Sequence, residues 1–302
     1  MNTTDLSIEQ SAGWRDYLEL CKPKVVALML LTSVIGMLLA TYSLPSFSVL
    51  FWGNLGIGLM AGSAAAINHV VDRKIDIHMA RTKNRPLAQG KVDVFQALLF
   101  ALVIGAVGMA ILLIEINALT AWLTLASLIG YAIVYTLYLK RATPQNIVIG
   151  GIAGAAPPLL GWTSVTGHVD PNSLLLVLII FAWTPPHFWA LAIHRKEEYA
   201  AVDIPMLPVT HGERFTMLHI ILYSIILILV SVLPYLTGMS GLIYLSSALL
   251  LGGRFLQWSI RMKRGTHEHA AIKTFKFSII YLMLLFVALL VDHYSLPYML
   301  TL

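Results

Sequence analysis

Nine long apolar stretches decide what this chain can fold into. They lie near residues 24–42, 49–67, 94–115, 118–138, 146–165, 173–193, 215–236, 240–260 and 275–295. A helix needs about 20 apolar residues to cross the hydrocarbon of a bilayer, and each stretch is close to that length. Lipid offers the backbone no hydrogen bonds, so a spanning segment must be a helix or part of a closed barrel. Barrel strands would be about ten residues long and would alternate in polarity; these runs are too long and too evenly apolar. Composition agrees, with 58% hydrophobic and only 12% charged residues, about half the charged share of a soluble domain. The expected fold is therefore all-α: a polytopic membrane bundle of nine transmembrane helices, with the lipid bilayer as its surroundings.

The charges then set the orientation. All 20 Lys and Arg residues fall at the ends and connections of one face of this nine-span arrangement. Under the positive-inside rule that face is cytoplasmic, the N-terminus lies inside and the C-terminus outside. A bacterial-type cytoplasmic (inner) membrane is the expected location. The net charge of +5 is thus a topology signal, and no nucleic-acid partner is expected. Residues 1–20 are polar and lack the apolar core of a cleavable signal. The chain divides into a cytoplasmic segment (1–23), a membrane domain (24–295) and a short external tail (296–302). One cysteine, Cys21, excludes an intrachain disulfide and a CxxC metal or redox pair.

The two longest polar connections, 68–93 and 194–214, both lie on the cytoplasmic side and carry the chemistry. Asn68, Asp72 and Asp76 follow one another at intervals of four. If the second span continues as a helix past the membrane edge, all three share one face. Two carboxylates one turn apart repel each other unless a hard cation lies between them. Mg²⁺ favours one or two carboxylates completed by phosphate oxygens. Arg73, Lys74, Arg81, Lys83 and Arg85 stand beside the acids, so the loop suits a diphosphate ester held through Mg²⁺. In the second loop Arg195, Lys196, Glu198 and Asp203 offer a second half-site. The five-residue step from Glu198 to Asp203 does not place both on one helical face, and Pro205 disfavours a helix through Ile204.

Asn68-x₃-Asp72-x₃-Asp76, followed by Arg81-Thr-Lys-Asn-Arg85-Pro86-Leu87, resembles the first signature of the UbiA-type intramembrane prenyltransferase superfamily. Trp183-Thr-Pro-Pro-His187-Phe-Trp189, Glu198-Tyr199 and Ile204-Pro-Met-Leu-Pro208 resemble its haem-farnesylating branch. The likeness covers roughly residues 20–295, although the clean Asp-x₃-Asp of many second signatures is missing. It implies a UbiA-type bundle with a cytoplasmic-side active site. It further implies transfer of farnesyl from farnesyl diphosphate to the 2-vinyl group of haem b, with Mg²⁺ as cofactor and haem O and diphosphate as products. Downstream haem-using or haem A-forming enzymes are the implied partners.

On that reading Asn68, Asp72 and Asp76 are catalytic, and with Glu198 and Asp203 they form the metal set. Arg73, Lys83, Arg85, Arg195 and Lys196 bind diphosphate. Trp183, His187, Trp189, Tyr131 and Tyr135 line the haem and prenyl pocket, where aromatic faces stabilise a carbocation at about 0.5–2 kcal/mol each. Other histidines, among them His69, His194 and His211, are further haem-ligand candidates. The same tyrosines also suit interfacial packing, and His187 also suits a hydrogen bond to a neighbouring helix.

Two rival functions remain at this stage: prenylation of a quinone precursor such as 4-hydroxybenzoate, and secondary transport. Transporters place their charges near the bilayer midplane, whereas here the acids cluster at one face. The orientation has a direct check. In a Cys21-free background, cysteines at Thr82 and Gln89 are expected to react only with reagent admitted to the cytoplasm. A cysteine at His168 is expected to react from outside, and the reverse pattern overturns the orientation.

Overall fold

The computed structural model describes residues 12–265 and 269–299, and no strand occurs among them. Twelve helices follow in order. The first is α1 (Trp14–Leu20), bent by 55° from α2 (Pro23–Leu39). Next come α3 (Phe47–Asp76), α4 (Val94–Ile116), α5 (Ala118–Ala142), α6 (Asn146–Thr166) and α7 (Pro171–His194). Two short helices, α8 (Lys196–Ala200) and α9 (Leu207–Thr210), form the second loop. The chain ends with α10 (Glu213–Leu236), α11 (Leu242–Arg264) and α12 (Ala270–Met299).

Each of the nine expected stretches is helical. By length and composition seven helices can cross a membrane, or up to eight if the bent pair α1–α2 is one span, among the described residues. The eighth expected span, 240–260, corresponds to α11, which falls short of that standard; it carries Arg254, Gln257, Arg261, Lys263 and Arg264. The N-terminal segment expected over 1–23 is described only from residue 12, where it forms α1. The expected tail at 296–302 lies outside the described residues from 300 onward.

Local chemistry starts the helices where they start. Ser46 Oγ accepts from the Val49 N–H at 3.3 Å, and Asp93 Oδ2 from the Phe95 N–H at 2.8 Å. Asn117 and Asp170 cap α5 and α7 in the same way. The helix α3 has 30 residues, about 45 Å at 1.5 Å per residue. That exceeds the roughly 30 Å of hydrocarbon, so one end projects, and its last turns carry Asn68, Asp72 and Asp76.

The helices form a ring in chain order: α2 on α3, then α4, α5, α6, α7, α10, α11 and α12, which returns to α2. A core of Trp162, Trp183, Tyr244, Phe255, Tyr281 and Phe286 fills the half built by α7 and α10–α12. At the end of the bundle that carries the two long loops, Ile75 of α3 packs with Ile147, Ala192, Tyr199, Ile204 and Met206. The two long polar loops therefore meet over one end of the ring.

Small residues set the closest approaches. A Cβ on Gly36 of α2 would run into the Pro158 carbonyl of α6, and one on Gly161 into the Ser33 carbonyl of α2. Gly150 meets the Tyr135 ring, Gly58 meets Leu30 and Gly62 meets Cys21, whereas Gly154 has open space. Thr82 is buried, its hydroxyl donating to the Asp76 carbonyl at 3.1 Å. Gln89, which is exposed, is thus the inner position open to a labelling reagent. Because backbone cannot move aside as a side chain can, Gly36→Ala and Gly161→Ala are each expected to cost about 1–3 kcal/mol. Gly154→Ala should leave stability unchanged or slightly raised. Thermal unfolding in detergent checks this, and equal melting temperatures for all three variants would contradict the packing.

Candidate active site

The site grows from the projecting end of α3. Asn68, Asp72 and Asp76 recur at helical spacing and are all buried, at 3%, 3% and 4% exposure. Asn68 donates through Nδ2 to Asp72 Oδ2 at 3.1 Å and to Thr136 Oγ1 of α5 at 3.2 Å. Thr136 in turn donates to the Tyr131 carbonyl at 2.8 Å. This stretch of α5, Gly130–Leu139, is wound as a π-helix, a departure that is frequent at functional sites. It holds Tyr131 and Tyr135 stacked, with ring centroids 5.6 Å apart.

Buried carboxylates need partners, and three cations supply them from separate parts of the chain. Lys140, at the end of α5, donates to Asp72 Oδ2 at 2.6 Å. Arg85, in the first loop, donates to Asp76 Oδ2 at 2.7 Å. Lys22, at the bend before α2, donates to Asn68 Oδ1 and lies 6.0 Å from the Tyr131 ring centre. Burial, followed by the repulsion of Arg85, pulls the Lys22 ammonium down to about 7. Three basic groups thus surround two carboxylates, an arrangement with spare positive charge for an anion.

A divalent cation fits the same residues. Asp72 Oδ1 is buried and has no hydrogen-bond partner, as is Asn146 Oδ1. Asn68, Asp72 and Asp76 offer carboxylate and amide oxygens, the donor type that Mg²⁺ prefers. Among the described residues no three His, Cys, Asp or Glu side chains group closely enough to hold a metal by themselves. One or two carboxylates completed by phosphate oxygens would not form such a group.

The other expected residues fall elsewhere. Arg73 donates to the Val70 carbonyl of its own helix at 2.8 Å, and Lys83 is exposed. In the second loop Arg195 contacts Glu198 at 3.4 Å and Lys196 contacts Glu213 at 3.2 Å. Asp203 is exposed, with a left-handed backbone at φ 53°. Burial pushes the Tyr199 phenol up, while Arg81 and Arg195 act in the opposite direction. Arg81 of the first loop therefore stands near Tyr199 of the second.

Trp183 and His187 turn toward α12. Trp183 Nε1 donates to the Ser278 carbonyl at 2.8 Å, and the two rings stack at 4.1 Å. His187 Nδ1 meets Ser278 Oγ at 2.6 Å, and its ring also stacks on Phe275. Trp189 lies on another side of α7, edge-on to His219 and Tyr223 of α10. No hydrogen bond or ring contact joins these three residues to the α3 acids among the described residues.

Residues 29–298 match the UbiA prenyltransferase family. The chain belongs to the UbiA prenyltransferase family. Two curated relatives are close. Protoheme IX farnesyltransferase of Hahella chejuensis (strain KCTC 2396) is 68% identical over 288 residues, 95% of this chain and 96% of that one. Protoheme IX farnesyltransferase 1 of Pseudomonas putida (strain GB-1) is 70% identical over 285 residues, 94% and 96%. Among solved structures, one of digeranylgeranylglyceryl phosphate synthase superposes with a TM-score of 0.78 at 19% identity, over 93% of this chain and 98% of that one. A UbiA homolog from Archaeoglobus fulgidus bound to GPP and Mg²⁺ gives 0.64 at 16% identity, over 91% and 99%. At these identities the structures share the fold alone.

In this UbiA-family chain three site residues escaped sequence reasoning in that role. Lys22 and Lys140 read there only as orientation charges, and Thr136 carried no signal. The helical spacing of the acids was the legible part. Asp72→Asn and Asp76→Asn are each expected to lower the prenyl-transfer rate by on the order of 10²-fold or more, the scale of a lost electrostatic stabiliser. Melting temperatures measured alongside separate this from unfolding. Full activity in either variant removes that carboxylate from the site.

Proposed function

We propose that this chain transfers the farnesyl group of farnesyl diphosphate to the 2-vinyl group of protohaem IX, with addition of water, giving haem O and diphosphate. The acceptor rests on one observation: relatives 68% and 70% identical across nearly the whole chain carry the name protoheme IX farnesyltransferase. The diphosphate chemistry rests on the buried cluster at the end of α3.

Bond breaking leaves the C1–O electron pair on the departing diphosphate, whose growing charge is what the site must stabilise. Arg85, Lys140 and Lys22 already surround that region. Asn68, Asp72 and Asp76 would hold Mg²⁺, which supplies further neutralisation of the diphosphate when bound. The stacked Tyr131 and Tyr135 offer ring faces to the farnesyl cation. The terminal vinyl carbon of haem b then forms the new carbon–carbon bond. Water captures the cation left beside the macrocycle and releases a proton, giving the hydroxyethylfarnesyl side chain.

Trp183 and His187 form the wall proposed for the macrocycle. Ser278 Oγ donates to the Phe275 carbonyl at 2.6 Å, which uses its only proton. It must therefore accept from His187 Nδ1–H, leaving Nε2 as the free lone pair for an iron ligand. Residues 24–295 act as one prenyltransferase domain in a bacterial-type inner membrane. The N-terminus is cytoplasmic, the C-terminus is outside, and the product passes to a haem-using or haem A-forming enzyme.

The test is product analysis. Purified protein with haem b, farnesyl diphosphate and Mg²⁺ is expected to yield haem O, identified by mass, together with free diphosphate. EDTA should stop the reaction and Mg²⁺ restore it. Prenylation of 4-hydroxybenzoate with no haem product would refute the acceptor and leave the prenyltransferase chemistry standing.

A further inference from the structure

One group of residues takes no part in the reaction described above. On the flank of α10, the Phe215 ring lies tilted against His219 at 4.1 Å and His211 stacks on Phe215 at 5.1 Å. Behind them Trp189 of α7 meets both His219 and Tyr223 edge-on. Phe215, Leu222 and Ile226 are 41%, 45% and 43% exposed, and on a helix all three lie within about 60° of His219. His219 is half-buried. A polar ring on a lipid-facing surface calls for a function.

The ring's hydrogen bond shows what it can do. His219 Nδ1 lies 2.9 Å from the Phe215 carbonyl, which can only accept. The proton is therefore on Nδ1, and Nε2 presents a lone pair that has no partner among the described residues. A backbone carbonyl fixing one nitrogen while the other stays open is the arrangement of metal-ligating histidines. His219 lies six residues into α10, about 9 Å below its cytoplasmic-side start. The surface thus combines an imidazole lone pair with an apolar face at membrane depth. These match the iron and the macrocycle of a haem.

We propose that His219 is the axial ligand of a haem b docking site on the lipid-facing flank of α10, separate from the pocket around Trp183 and His187. It takes haem from the bilayer and holds it against α7, the helix that carries that pocket. The proposal rests on the haem-farnesylating reading above.

The test is an optical titration of the full-length protein in lipid nanodiscs with ferric haem b, without farnesyl diphosphate. In a His187→Ala background the Soret band is expected to keep a histidine-ligated component. Adding His219→Ala, or the less disruptive His219→Gln, should weaken haem binding at least about tenfold, a loss that even outer partners of ligating histidines produce. Protoporphyrin IX, which has no iron, should bind all these proteins equally. An unchanged haem titration in both His219 variants overturns the site, as does an equal loss of protoporphyrin binding. A wild type that prenylates another acceptor and shows no iron-dependent binding overturns the underlying reading, and the site with it.

Discussion

The structure turns on two buried carboxylates that cannot stay charged alone. Removing one partner of a buried pair costs about 3–5 kcal/mol, because the other charge is left uncompensated. Asp72 and Asp76 avoid this by drawing Lys140 from the end of α5 and Arg85 from the first loop. Asn68 draws Lys22 from the bend before α2. Asn68, Asp72 and Asp76 thereby fix the bend before α2, the end of α5 and the first loop, and that end of the ring closes over them. The same pairing suits an enzyme whose substrate is a polyanion. Cations that neutralise the carboxylates are already in place for the diphosphate of the proposed reaction.

How much of this was legible depends on the range of each interaction. Asn68, Asp72 and Asp76 could be placed on one face because helical periodicity is local and α3 runs through all three. Their cations could not. Lys22 is 46 residues from Asn68 and Lys140 is 68 from Asp72, and in the sequence both had a sufficient reason to exist as inside-facing charges. Arg85 was found because the first loop is short enough to bring it back. Gly58 and Gly62, four apart on α3, meet only side chains, whereas the tightest helix contact uses Gly36 and Gly161 on different helices. A lone glycine in each of two helices leaves no pattern until the helices are paired. The alternation of spans was clear throughout; α11 shows its limit, since six polar or charged residues from Arg254 to Arg264 help take it below the apolar standard that seven other helices meet.

The two sides of the ring use polar groups differently. Around α3 and α5 polarity is charged and concentrated at the inner end. Around α7 and α10–α12 hydroxyl-to-hydroxyl and hydroxyl-to-carbonyl hydrogen bonds join the helices within the bundle. Ser224 meets Ser259, Ser231 meets Tyr281, and Tyr244 donates to the Ser231 carbonyl at 2.7 Å. Hydrogen bonds of this kind fix helix register in a bilayer, where apolar packing distinguishes poorly between neighbours. A rigid wall for a flat acceptor and a cationic basin for a leaving group are different demands, and the chain meets them on different helices.

The helix α7 joins these two regions, and its sequence explains how. Pro185 and Pro186 lie inside a helix that continues through them to His194. Neither has an N–H to donate, so the carbonyls of Phe181 and Ala182 lose their usual helical partners. Just beyond the prolines the side chains fan out to different neighbours: His187 to Ser278 of α12, Trp189 to His219 of α10, and Ala192 to the cluster that contains Ile75 of α3. One turn and a half of helix thus touches the α12 wall, the α10 flank and the end of α3. On both His187 and His219 the Nδ1 proton is committed, to a serine oxygen and to a carbonyl, so each presents Nε2. The two imidazoles are thus fixed in the same tautomer, one buried against α12 and one half-buried on the flank of α10 beside Trp189.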